Sequence, residues 1–159
     1  MVDTTILLSG NIWLRWPYEV LQHALKRDFY LVLSQFLIDE ARQKFTEKFP
    51  DYQQGFKDFL TDCDYDLVPG PSVEEIVANQ DLMRDPNDIP IALAAINAQV
   101  DYFISEDKHF TARDETTAKL HQQLNIMLSG TFLRQVMGWT SEALEAVRGR
   151  EWSDVENSS

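Results

Sequence analysis

The sequence predicts an α/β protein, with a mainly parallel sheet covered by helices on both faces. Two observations carry that expectation. Short, continuous apolar runs rich in branched and aromatic residues recur along the chain, as strands buried on both faces require. Amphipathic stretches of helical period separate them, and such alternation calls for crossover connections and parallel pairing. The length of 159 residues suits one core, because a chain of this size buries roughly two thirds of the surface its unfolded form exposes. A single domain over residues 1–150, followed by a polar, frayed tail at 151–159, is the expected organisation.

Residues 17–26 read as a helix, with Val20, Leu21, Ala24 and Leu25 at helical spacing and Pro17 in the first turn. Residues 29–33 (FYLVL) form a buried strand. Ser34 then caps a helix over 35–48 whose apolar stripe is Phe36, Leu37, Ala41 and Phe45, and Phe49-Pro50 ends it. Residues 51–62 are helical through Phe56, Phe59 and Leu60. Residues 65–68 are a strand closed by Pro69-Gly70-Pro71. Ser72 with Glu75 makes a capping box for a helix through Ile76 and Val77. After a polar stretch at 79–88, residues 89–98 form a helix with Ile89, Leu93 and Ile96 on one face, while Ala92 and Ala95 allow close approach to a sheet. Strands follow at 102–105 and 125–128, with a polar segment at 111–123 that is helical in its second half. Ser129-Gly130 turns into a helix through Phe132, Leu133, Val136 and Met137, and a last amphipathic segment spans 141–148.

The chain carries 26 Asp and Glu against 14 Lys and Arg, a formal charge of −12. That balance opposes unassisted binding to a phosphate backbone, which depends on Lys and Arg contacts. Lys44, Lys48, Lys108, Arg113 and Arg134 are scattered and outline no basic groove. The single Cys63 excludes an internal disulfide and a Cys-rich zinc site, which points to a reducing, cytoplasmic setting. No run approaches the ~20 apolar residues of a membrane span, and the N-terminus lacks a basic-then-apolar layout, so neither secretion nor membrane insertion is expected. The motifs GxSxG, GxGxxG and the P-loop are absent, and Cys63 has no nearby histidine to activate it. The N-terminal DTT differs from a DxDxT phosphatase motif. His23, His109 and His121 lack metal-like spacing and read as surface residues, and Trp13, Trp16, Trp139 and Trp152 as core or interface.

In parallel sheets, reactive groups gather beyond the carboxyl ends of the strands. Four acids fall at such places. Asp3 precedes hydroxyl residues and an apolar run, Asp107 follows the strand at 102–105, Asp88 stands at a helix start, and Glu40 lies inside one. Each has a bland alternative: Asp88 as an N-cap, preferred over the rival start at Asp85-Pro86, Glu40 as an edge residue, Asp107 as a solvated loop acid, Asp3 as a terminal surface residue. Glu40 flanks the apolar stripe whereas Asp39 points away. Together, unneutralised, the four would repel and raise one another's pKa, a conflict that a divalent cation resolves.

At these residues the sequence resembles the PIN-domain family. The likeness runs from Val2 to about Met137 through VDTTILLSG, SQFLIDEA and DPNDIPIALAAINAQVDYFISEDKHF. Thr5 stands where the family usually has Asn, and only Met1 and Val2 precede Asp3, so either the start lies upstream or the first strand is very short. The resemblance implies a three-layer α/β/α sandwich and a Mg2+- or Mn2+-dependent ribonuclease, often the toxin half of a toxin–antitoxin pair. It makes Asp3, Glu40, Asp88 and Asp107 the metal-binding catalytic acids, supported by Thr4, Ser105 and Asp85. The expected partners are RNA and a basic antitoxin-like protein, with a homodimer face at Trp139 and Leu144 as a further option. The alternative is a PIN-like binding module of little or no activity that acts through a basic protein partner.

Overall fold

Local chemistry explains most of the elements in the computed structural model, which describes residues 1–156. The helices are α1 (Thr4–Ile12), α2 (Trp16–Leu25), α3 (Gln35–Lys48), α4 (Gln53–Asp62), α5 (Val73–Ala78), α6 (Ile89–Asn97), α7 (Lys108–Thr111), α8 (Ala118–Gln123), α9 (Ser129–Gln135), α10 (Ser141–Val147) and α11 (Trp152–Glu156). They alternate with strands β1 (Leu31–Ser34), β2 (Tyr65–Val68), β3 (Phe103–Ile104) and β4 (Ile126–Met127). Ser34 caps α3 by accepting the Leu37 N–H, and Ser72 with Glu75 completes the capping box of α5, both as expected.

The architecture is the three-layer α/β/α sandwich, and every strand pairing is parallel. Leu31 to Ser34 pair with Tyr65 to Val68, and Phe103 and Ile104 pair with Ile126 and Met127. Val2 bridges Ile104 in parallel, with Asp3 N donating to Ile104 O (3.1 Å) and Ile104 N to Met1 O (2.9 Å). Asp3 therefore leaves the sheet at the same end as the segment after β3. One core joins Val2, Leu31 and Leu33, Phe103 and Ile104 to helical residues such as Leu7, Leu21, Leu37 and Ala92. Phe45 stacks on Phe56 at 4.9 Å, and Phe29 and Tyr102 each make a T-shaped contact with Phe132.

Several expectations are corrected. Residues 4–12, to which the sequence reading assigns no element, are a helix. It buries Thr4, Ile6, Leu7, Gly10 and Ile12, but the hydroxyl and glycine in that buried set, with Leu8 outside it, blur the helical period of its apolar residues. Phe36 is 43 % exposed, and Ile38 takes its place in the buried stripe of α3. Asp88 stands at the N-cap position of α6, with Ile89 and Pro90 as the first two helical residues as expected, but its side chain makes no capping bond. A turn of 3-10 helix, Pro86–Asp88, runs directly into Ile89, so Asp88 already has helical backbone angles. Pro90, at the second helical position, also has no N–H to offer. Asp85 instead caps that turn, accepting the Asn87 N–H.

Trp16 and Trp139 are partly buried and donate to Leu144 O and His23 Nε2, while Trp13 and Trp152 are exposed, with Trp152 Nε1 donating to Ile12 O. Trp139 and Leu144, named for a homodimer face, pack against the core. Of the tail expected to fray, residues 152–156 are helical, and 157–159 lie outside the described residues. Arg27 and Gln99 close α2 and α6 in the left-handed region, each followed by a residue whose N–H returns to the last turn, at His23 O and Ala95 O.

α1 lies so close to α2 that a Cβ on Gly10 would stand 2.4 Å from Leu21 Cδ1 and 3.0 Å from Pro17 O. Gly10→Val is therefore expected to lower stability by about 1–3 kcal/mol through overpacking. Chemical denaturation measures this, and a variant as stable as the wild type would mean that the two helices separate freely.

Candidate metal centre

Asp3 sits where the N-terminal extended segment becomes α1, and its carboxylate caps that helix from the Ile6 N–H. It is only 2 % exposed. Thr5 Oγ1 donates to Oδ1 at 2.6 Å and Ser105 Oγ to Oδ2 at 2.5 Å. Both hydroxyls accept in turn from the segment after β3: Thr5 Oγ1 from Glu106 N, Ser105 Oγ from Asp107 N. Two relays thus tie that segment to one carboxylate. Burial pushes the Asp3 carboxyl up to about 7 against the combined pull of these hydrogen bonds, with a smaller push from Asp107.

Asp107 begins α7, accepting the His109 N–H on Oδ1 at 2.9 Å. Its charge also bears on Asp88, across the cleft floor. Burial raises Asp88 to about 6, His109 opposes the shift through a hydrogen bond, and Asp107 and Asp85 add to it. Nδ1 of His109 lies 3.3 Å from Asp88 Oδ2 and 3.9 Å from Asp107 Oδ1. Glu40 reaches the same cleft from α3, paired with Lys44 one turn on at 3.2 Å.

These groups line one cleft of about 370 Å³. All four sequence-predicted acids, Asp3, Glu40, Asp88 and Asp107, border it, together with Asp85. Thr5, not Thr4, orients Asp3. The Thr4 hydroxyl is buried with no hydrogen-bond partner in the protein. Ser105 does hold Asp3 as expected. His109, expected at the surface, lines the cleft. The usable signal was its spacing: two residues after an acid that starts a helix, it shares the first turn with that acid. Phe36 and Lys44 also border the cleft without having been singled out for it.

Among the described residues no Lys or Arg forms an ion pair with Asp3, Asp85, Asp88 or Asp107. Ligand atoms of Asp85, Asp88 and His109 lie within 4.8 Å of one another. Hard oxygen donors at this density, two of them held toward protonation by burial, fit a divalent cation. A model of the PIN domain matches residues 1–109, a span that contains every acid of the cleft. No curated protein matches the chain.

The raised Asp3 carboxyl has a consequence for stability. Its proton is held up to about 7 in the folded protein, against an ordinary value of 3.8. The associated stability is fully present below the ordinary value and lost as pH rises through about 7. The Met1 amino group, lowered by burial to about 5, contributes with the opposite sign, so variants are compared rather than the bare pH profile. Without metal, Asp3→Asn is expected to gain on the wild type by at most roughly 1.4 kcal/mol per pH unit while Asp3 titrates. Thermal melts of both proteins across this range test it; a constant difference would show that Asp3 titrates normally.

Proposed function

The chain belongs to the PIN-domain family, and on that premise we propose that it is a Mg2+- or Mn2+-dependent ribonuclease hydrolysing RNA phosphodiester bonds. PIN domains are generally nucleases that use divalent metals. The observation that carries the reading is the convergence of Asp3, Asp88, Asp107 and Glu40 on one cleft, where Glu40 pairs with Lys44 and, among the described residues, no Lys or Arg pairs with the other three.

In this reading Asp3, Asp88 and Asp107 are the principal ligands, with Glu40 acting directly or through water. A divalent cation in their grasp supplies positive charge to the scissile phosphate and makes water at the site more acidic. The protein's part is positional. Ser105 and Thr5 fix both oxygens of Asp3, so the carboxylate cannot rotate away. Asp107 is held by the first turn of α7, and Glu40 by the Lys44 ammonium. Lys44 also places a positive charge at the rim, where a substrate phosphate would arrive.

The role as toxin of a toxin–antitoxin pair, in the cytoplasm, belongs to the same proposal. Its support is the charge of −12, which suits a basic antitoxin-like protein better than bare RNA. The same charge favours the second reading, a binding module that works through such a partner with little or no catalysis. Among the described residues no helix is long and apolar enough to cross a membrane.

Asp3→Asn, Asp88→Asn and Asp107→Asn are each expected to lower Mn2+-dependent cleavage of single-stranded RNA at least about 100-fold, roughly 3 kcal/mol of transition-state stabilisation. Undiminished cleavage by the Asp3 and Asp107 variants would sink the ribonuclease reading. Calorimetry that finds no Mn2+ binding at millimolar metal would favour the binding module.

A further inference from the structure

His109 is placed for more than solvation. Asp107 captures its backbone N–H at 2.9 Å, which sets the ring over Asp88, with Nδ1 at 3.3 Å from Oδ2. On the other side, the Asp85 carboxylate is fixed by the Asn87 N–H inside a turn stiffened by Pro86, and Pro90 follows two residues after Asp88. One ligand atom from each of Asp85, Asp88 and His109 therefore falls within 4.8 Å of the other two, a separation that a single cation spans. Among the described residues no Lys or Arg pairs with either acid. An independent sign comes from Thr4, a residue of the same cleft lining that is only 4 % exposed and whose hydroxyl has no hydrogen-bond partner in the protein. A buried hydroxyl without a partner is costly unless something in the cleft completes it.

We infer that Asp85, Asp88 and His109 form a mixed nitrogen and oxygen cation site at the rim of the cleft, with His109 Nδ1 as a direct ligand, selecting Mn2+ and later first-row divalent ions over Mg2+. The inference rests on the reading of the cleft as a metal centre and specifies its ligands and its preferred ion. Imidazole suits transition ions, whereas Mg2+ holds to oxygen donors and water. Without metal, Nδ1–H donates to Asp88 Oδ2. The ion takes the neutral ring in its other tautomer: the single ring hydrogen moves from Nδ1 to Nε2 by exchange with solvent, and the Nδ1 lone pair faces the ion. Asp88 then serves both the inner acids and the rim, which makes it the shared ligand of the cleft.

Electron spin-echo measurements on the wild-type protein loaded with MnCl2 read the bond directly. The expected result is 14N modulation from a coordinated imidazole, absent in His109→Gln. In parallel calorimetry with MnCl2 and MgCl2, His109→Gln is expected to weaken Mn2+ about tenfold or more while leaving Mg2+ within about twofold. Circular dichroism confirms that the variant is folded, and the wild-type spectrum stands whether it folds or not. Mn2+ bound without 14N modulation would overturn the inference and leave the acidic centre intact, as would an equal loss of both ions in the variant. Failure of the wild type to bind Mn2+ at all would overturn both.

Discussion

The buried carboxylate of Asp3 is the constraint around which the cleft is built. It starts α1, it lies one residue after the Val2 bridge to β3, and through Thr5 and Ser105 it receives the backbone of Glu106 and Asp107. Two parts of the chain about a hundred residues apart are thereby joined at one side chain. Such an arrangement tolerates burial of an acid only because every oxygen is satisfied, since an unpaired carboxylate in the interior costs several kcal/mol. Asp107 is consequently aimed at the cleft by the same bonds that hold Asp3.

Around this centre the negative charge divides into two populations. Among the described residues Asp3, Asp85, Asp88 and Asp107 have no Lys or Arg partner, and burial, with a smaller push from neighbouring acids, raises Asp3 and Asp88, which is the electrostatic demand for a cation. Most of the others are solvated: Asp39 with Arg42, Glu145 with Arg148 and Asp81 with Lys119 are exposed pairs, each worth little in water and less in salt. The inward pair of Arg150 and Glu19 is different. Arg150 also donates to Leu14 O and lies over the Tyr18 ring, tying the chain after α10 to α2. The surface acids supply a field that repels phosphate chains at long range, so substrate access depends on the local charge at the cleft rim.

Elements with strong local signals were legible. The bounds of α3 and β2 match those read from residues alone, because Ser34 and Phe49-Pro50 punctuate one and Pro69-Gly70-Pro71 the other. α1 is hidden because its buried face includes Thr4 and Gly10 while Leu8 lies off it, so apolar character does not mark one side. The stripe of α3 was placed one residue off, with Phe36 turned to the cleft and Ile38 inward, because several apolar residues in succession leave the phase of a helix open. Pro90, two residues on, marks Asp88 as the N-cap position correctly, but it does not reveal the preceding turn that leaves the side chain without a capping bond.

What the sequence determined by itself was the alternation of strand and helix and four candidate acids, three at helix starts or strand ends and Glu40 within α3. Both follow from local periodicity and from the family's motifs, which are carried by spacing along the chain. The tertiary structure alone decided the side-chain directions. It chose Thr5 over Thr4 to hold Asp3, left Asp88 at its N-cap position without a capping bond while Asp85 caps the preceding turn, and turned His109 toward Asp88. Those outcomes depend on helix phase and on contacts between residues far apart in the chain. A rotation of one residue is about 100° around a helix, enough to exchange a cleft for solvent.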